Sequence, residues 1–232
     1  MPNWCENSLN VNGPAKELAL FVSKVREGDG LLSSVFPRPE SLDLTHGSTN
    51  LCYHVYYGEI PEYVWGWDHV VESGIDKNDP DVKEKLISYL TEKDKNFSKE
   101  LADKYKYNVD THGFMDWYNW SIANWGTKWD VPHKDTRPGE FKDGDKDYDV
   151  CFDTAWGPPL EWMERVSLDY PKLTFLMEYY ELGMWFAGYL KIKDGNTVSK
   201  LEGEPDQQDS KGDPLFDFCA EYAEQMMEEN GE

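Results

Sequence analysis

DVCFDTAWGPPLEWMERVSLDYPKLTFLMEYYELGMWFAGYLKIKDG, residues 149–195, decides the fold class. From Asp149 to Ala155, Val150, Phe152 and Thr154 alternate with polar neighbours, the two-residue period of a strand with one buried face. Pro158-Pro159 then opens a helix. Within it Leu160, Met163, Val166 and Tyr170 recur three or four apart until Pro171 closes it. Leu173, Phe175, Met177 and Tyr179 alternate as a second strand. Glu181-Leu182-Gly183 makes a tight turn. Met184, Phe186, Gly188, Leu190 and Ile192 give a third strand, ending at Asp194-Gly195. The segment reads β-α-β-β.

Working outward, the N-terminal part supplies a matching unit. Leu9 and Val11 alternate from Ser8 to Val11, and Asn12-Gly13 ends that strand. Pro14 suits the first helical position, and Leu18, Phe21, Val22 and Val25 follow at helical spacing until Gly28. Leu31 to Phe36 reads as a strand or an extended segment, stopped by Pro37-Arg38-Pro39. A β-α start and a β-α-β-β end predict an α+β architecture, with helices on one face of an antiparallel sheet.

Between the two lies a stretch of different texture, about Glu40 to Thr111. Periodicity leaves Leu51–Tyr57 open between helix and strand. Pro61 to Val71 suggests a short helix carrying Trp65 and Trp67. Val82, Leu86 and Leu90 mark another, and Phe97, Leu101 and Tyr105 a third. Their opposite faces are rich in Lys, Glu and Asp, as solvated helix surfaces are. The expected organisation is a domain over residues 1–198 with a helical insertion at 40–111. Residues 199–232 hold eleven Asp or Glu against two Lys, and read as an acidic linker followed by a C-terminal helix. Gly203 to Gly212 is the expected mobile part. Phe218, Tyr222 and Met226 form the expected helix stripe after Asp213-Pro214.

The formal charge is -22. Such a polyanion is repelled by nucleic acid and by anionic membranes, so neither is an expected partner. No run of apolar residues is long enough to span a bilayer. The stretch from Met1 to Glu6 has no secretory pattern, so a cytoplasmic location is expected. Cys5, Cys52, Cys151 and Cys219 lie far apart and read as free thiols.

Two blocks, Asp116–Asp130 (DWYNWSIANWGTKWD) and Asp153–Trp162 (DTAWGPPLEW), hold six of the ten tryptophans. The first reads as a short helix broken at Gly126. Residues 131–149, with Pro132, Pro138, Gly139 and Gly144, read as a loop. Tryptophan is bulky and its indole N–H needs a partner when buried. The candidate binding residues are therefore Trp4, Trp117, Trp120, Trp125, Trp129 and Trp156, with Lys128 and Asp130 orienting a ligand. The competing reading is that these rings pack the insertion against the sheet.

Motifs for catalysis are missing. There is no Gly-x-Ser-x-Gly elbow, no phosphate-binding glycine loop and no His-Glu-x-x-His. Asp143, Asp145, Asp147 and Asp149 alternate as calcium ligands can, but Tyr148 and Thr154 stand where an EF-hand needs Gly and Glu. Cys52 and His54 would share one face of a strand, yet no second pair completes a zinc site. The other histidines (His46, His69, His112 and His133) are scattered. Pro2 could act as a base if N-terminal, but polar Asn3, Glu6 and Asn7 follow it. No cofactor or metal is expected, and no catalytic residue is assigned.

Several motifs carry a resemblance. MPNWCEN at residues 1–7, the Leu9/Val11 strand, FPRP at 36–39, DWYNW at 116–120, NWGTKWD at 124–130 and TAWGPPL at 154–160 resemble the YubB ferredoxin-like domain family, small proteins of phages and plasmids. The resemblance spans about residues 1–195. It implies an α+β ferredoxin-like fold and brings no catalytic residues. No cysteine spacing suits an iron–sulfur cluster. Together these readings predict a non-enzymatic, phage- or plasmid-encoded accessory protein that binds a host protein with a basic surface. An acidic imitation of DNA that inhibits a defence or DNA-binding factor is one form of this. The alternative is an enzyme or small-ligand binder at the tryptophan-rich seam, using Asp116, Asp130 or Asp153.

Overall fold

A computed structural model describes residues 3–47, 50–58, 71–76 and 78–230. The chain divides into two compact units, Arg38–Trp120 and a sheet unit made of residues 1–37 and 121–232.

The sheet unit holds six strands: β1 (Trp4–Asn12), β2 (Arg137–Pro138), β3 (Asp147–Ala155), β4 (Thr174–Glu181), β5 (Phe186–Lys193) and β6 (Asn196–Gly203). They form one sheet in the order β2-β3-β1-β4-β5-β6, antiparallel throughout. The register aligns apolar side chains across strands. Leu9 faces Val150 on one side and Met177 on the other, and Val11 faces Tyr148 and Phe175. Met177 in turn faces Leu190 and Phe175 faces Ile192. All are buried, as cross-strand packing on a core face requires.

Helices α1 (Ala15–Val25) and α7 (Leu160–Asp169) cover that face. α1 buries Leu18, Phe21, Val22 and Val25, the four residues its sequence period singles out, each contributing about 1.5–3 kcal/mol. Phe21 meets Phe175 of β4 edge to face at 5.4 Å. α7 buries Trp162, Met163 and Val166. A C-terminal helix, α8 (Asp217–Asn230), lies against the opposite face. Tyr180 and Ala187 of the sheet pack there with Phe216 and Cys219.

Five details differ from the sequence reading. β1 begins at Trp4 rather than Ser8, because the alternation continues through Glu6 and Trp4 with polar and aromatic residues on the outer face. Leu31–Val35 is a short helix, α2, rather than a strand. Asn196–Gly203 pairs with β5 as a sixth strand. The expected linker after it is tied down: Leu215 N–H bonds to Gln207 O at 2.8 Å, and Asp209 N–H to Asp213 O at 2.8 Å. Phe216 just before α8, and Cys219 and Ala223 on it, are buried, while Tyr222 is exposed.

The other unit is helical. It contains α3 (Leu51–Tyr57), α4 (Val82–Lys93) and α5 (Lys99–His112). Leu51, Cys52, Val55, Leu86, Leu90, Phe97, Ala102 and Tyr105 form its core. Ser98 accepts Leu101 N–H at 3.1 Å as the N-cap of α5, and Gly113 closes that helix at φ 80°. The helix expected over Pro61–Val71 lies almost wholly outside the described residues, as do Pro2 and His69. Helix α6 (Trp117–Trp125) carries the first tryptophan block and ends at Gly126, φ 81°.

Candidate functional site

The tryptophans sort by what their indoles do. Trp125 is buried and donates to Phe36 O at 3.0 Å. Trp162, also buried, donates to Leu32 O at 3.0 Å. Trp120 is buried as well. Trp117 is half-buried within the helical unit, where Arg38 stands 6.0 Å from its ring centre. Trp4, Trp129 and Trp156 differ, being 52%, 39% and 54% exposed. Large aromatic rings kept at the surface are the ones free to meet a partner.

Trp4 and Trp129 converge, with ring centres 6.2 Å apart and planes tilted by 39°. They stand at one end of an open groove of about 700 Å³. Its floor is the outer face of β1 and β3, where Trp4 is opposite Ala155 and Glu6 opposite Asp153. Its wall is the chain from Trp129 to Arg137, which includes a 3-10 turn at His133–Asp135. Arg137 bridges wall and floor by donating to Asp153 at 3.0 Å. That bond raises the guanidinium's pKa further above its ordinary value. Lys128 sets its ammonium 4.5 Å from the centre of the Trp129 ring, a cation–π contact. Trp156 follows directly after β3, in the left-handed region at φ 74°.

Asp130 has a structural task. Its Oδ1 accepts Leu32 N–H at 2.9 Å and Val131 N–H at 2.8 Å, with Ser33 N–H further off at 3.4 Å. A carboxylate at a helix start satisfies amides that the helix leaves unpaired. Gly30 makes room for it, since a Cβ there would lie 2.1 Å from Oδ2.

The floor is acidic beyond the groove. On the same outer face, Asp149 lies opposite Asn10, and Glu178 opposite Ser8. Burial, then the charges of Asp217 and Asp149, push the Glu178 carboxyl above its ordinary value. Tyr180 donates to Glu6 at 2.7 Å. Burial and then that carboxylate hold the Tyr180 phenol protonated well above its normal range.

The remaining candidates do not line the groove. Asp116 is buried in the helical unit, where His46 Nδ1 lies 3.0 and 3.1 Å from its two oxygens. Asn50 and the backbone N–H of Tyr118 also donate to it. Cys52 and His54 sit on a helix, α3, so the two-residue spacing turns them to different faces rather than one. Asp143–Asp149 includes a turn in which Lys142 N–H donates to Asp145 and Tyr148 is buried. Among the described residues no three His, Cys, Asp or Glu side chains gather as metal ligands, and no helix is long and apolar enough to cross a membrane.

Sequence reasoning missed Glu6, Lys134, Asp135 and Arg137 as groove residues. Extending the β1 alternation by two steps would have placed Glu6 beside Trp4. Nothing local in residues 131–137 marks the wall.

Residues 124–228 match the family model for the ferredoxin-like domain in Api92-like protein. The matched part is a ferredoxin-like domain. It takes in the groove wall, Trp156, β6 and most of α8, so the acidic C-terminal stretch falls within it up to residue 228. A solved structure, that of protein api92 from Yersinia pseudotuberculosis, aligns over 88% of this chain and 98% of its own, at 12% identity and a TM-score of 0.44. No curated protein matches the chain in sequence.

Proposed function

We propose that this chain is a non-enzymatic binding protein that captures a basic protein through the outer face of its sheet. One observation carries the reading: Glu6 and Asp153 stand directly opposite each other on β1 and β3. Like charges in that position destabilise a sheet. Arg137 offsets one of them, while Asp149 and Glu178 extend the same sign across the face. A basic surface laid over these carboxylates relieves their repulsion and is steered towards them.

The motifs similar to the YubB family support a phage- or plasmid-encoded accessory role in the host cytoplasm. A charge of -22 supports imitation of a phosphate backbone, directed at a host defence or DNA-binding factor.

The test is affinity capture from host lysate at low and high salt, with wild type and a Glu6→Lys/Asp149→Lys/Glu178→Lys variant. The expected result is a basic, DNA-handling protein held at low salt, released at high salt or by duplex DNA, and lost from the variant. Equal capture by the variant, or capture indifferent to salt, sinks the reading.

The groove's volume falls in the range of small-ligand sites, which favours an enzyme or ligand binder as the second reading. The carboxylates it needs are already engaged, Asp116 with His46 and Asn50, Asp130 with backbone amides, and Asp153 with Arg137. Turnover of a small molecule that is abolished by Asp153→Asn would nonetheless establish it.

A further inference from the structure

We infer that the groove takes one extended segment of the basic partner, which pairs with the open edge of β3 and lays an arginine or lysine side chain against Trp4 and Trp129. The inference rests on the protein-binding reading above and adds where and how a partner's chain is held.

The backbone carries the first half of the argument. Successive residues of a strand turn their N–H and C=O groups to alternate sides. Asp149 O accepts Gly139 N–H at 2.8 Å, on the side of β2. Cys151, Asp153 and Ala155 therefore face that side too. Cys151 has Arg137 opposite it, and there the pairing of β2 ends. Thr127 Oγ1 donates to the carbonyl of Ala155 at 3.1 Å. Asp153 lies between them. Its N–H and C=O face the groove, and among the described residues no strand stands opposite. An unpaired edge of this kind is a template for an added strand. A segment entering there would continue the line of Arg137–Pro138.

Side chains carry the second half. Beside that edge, Trp4 and Trp129 expose their rings, and the carboxylates Glu6, Asp130, Asp135 and Asp153 outnumber the cations Lys134 and Arg137, the latter paired with Asp153. Indole faces attract cations, and arginine most often. Lys128 already holds its ammonium 4.5 Å from the Trp129 ring, so an internal cation occupies a place of the kind a partner's side chain would use. Backbone pairing explains affinity without a particular sequence. The rings and carboxylates explain the preference for a basic residue at alternate positions.

The experiment uses the full chain and a blocked pentapeptide of alternating threonine and arginine, Ac-TRTRT-amide, at low salt. Binding is followed by the indole N–H signals of Trp4 and Trp129 in NMR spectra, assigned with Trp4→Phe and Trp129→Phe. The expected result is saturable movement of both signals. Trp4→Ala or Trp129→Ala should weaken binding about two- to fivefold each, and Lys128→Ala should strengthen it by removing the competing ammonium. A peptide with every amide N-methylated should not bind. The inference is overturned if no saturable shift occurs, if the glutamate analogue binds equally well, or if N-methylation has no effect. Should the acid-dependent lysate capture persist in Trp4→Ala/Trp129→Ala, the groove assignment fails and the wider reading stands. If wild type captures nothing, the wider reading fails first.

Discussion

Asp130→Ala separates a ligand-orienting role for this residue from a structural one. Its carboxylate holds two short bonds, to the amides of Leu32 at 2.9 Å and Val131 at 2.8 Å. Leu32 is 0% and Val131 3% exposed, so water cannot readily replace the lost acceptor. A hydrogen bond to a charged group contributes about 1.5–3 kcal/mol, and a stranded buried donor costs about 1–3 kcal/mol. The two amides share one oxygen and the carboxylate is part-exposed, so Asp130→Ala should cost about 2–4 kcal/mol. Asp130→Asn keeps an acceptor, loses the charge, and should cost about half as much. Against a total of about 5–15 kcal/mol for a typical domain, either loss is measurable by urea unfolding. Amide exchange at Leu32 and Val131 localises it to the sheet unit. A ligand-orienting role would do the opposite, weakening binding and leaving stability intact. If Asp130→Ala stays within about 0.5 kcal/mol of wild type and the Leu32 amide remains protected, the capping argument is wrong.

Other perturbations follow from the same structure. Trp162→Phe removes the donor to Leu32 O and leaves a gap under α7, and should cost about 1.5–3 kcal/mol in the same urea assay. Glu178, whose pKa is raised in the folded state, contributes stability below its unfolded pKa and loses it as pH rises through the folded value. Glu178→Gln should accordingly leave stability unchanged at pH 4 and raise it at pH 7, read as a pH series of thermal midpoints. Burial pushes the Cys52 thiol up to about 12 and the Cys219 thiol up to about 11, and Cys5 is raised for the same reason. Only Cys151 is partly exposed, so brief alkylation of native protein at pH 7 should modify it first, as peptide mass mapping will show. Trp156→Gly frees a left-handed position from its Cβ and should shift stability by less than about 1 kcal/mol in either direction, whereas a core tryptophan would lose several.

The parts legible in the sequence are those where apolar period and burial coincide. Leu18, Phe21, Val22 and Val25 are an example, as are Phe175, Met177 and Tyr179. Illegible parts are set by distant chain. Leu31–Val35 has no helical period, and is helical because Asp130 caps its start and Trp162 binds its carbonyl. β6 has almost nothing to bury. Val198 is exposed and Leu201 only half-covered, so its pairing comes from β5 rather than from a hydrophobic pattern. On α8 the aromatic residues drew the stripe through Phe218 and Tyr222. The small residues Cys219 and Ala223 face inward instead, beside Phe216 just before the helix. For the site, Trp4 and Trp129 were named from their blocks, but their partners Glu6 and Arg137 needed the register of β1, β2 and β3.

The division of the tryptophans follows from one short helix. α2 has five residues, too few to satisfy its own ends, since each end of a helix leaves four backbone groups unpaired. Asp130 takes the amides at its start. Leu32 O, which accepts Phe36 N–H within the helix, also accepts Trp162 Nε1, and beyond the other end Phe36 O accepts Trp125 Nε1. Those two rings can be buried because these carbonyls give their N–H groups an acceptor. Residues 124–130 thus perform two tasks within seven positions. Trp125 and Asp130 fasten α2 to the sheet unit, and fixing Asp130 fixes Trp129 beside Trp4. Loosening the cap should therefore disturb the groove as well as the fold. Asp130→Asn, which keeps the chain folded, should move the Trp4 and Trp129 indole signals without any ligand. Trp162→Phe, which removes a donor to the Leu32 carbonyl and leaves the capped amides in place, should move them less. If both variants left those signals in place, the groove would be held by something other than the cap, and the coupling between core and binding face would have to be abandoned.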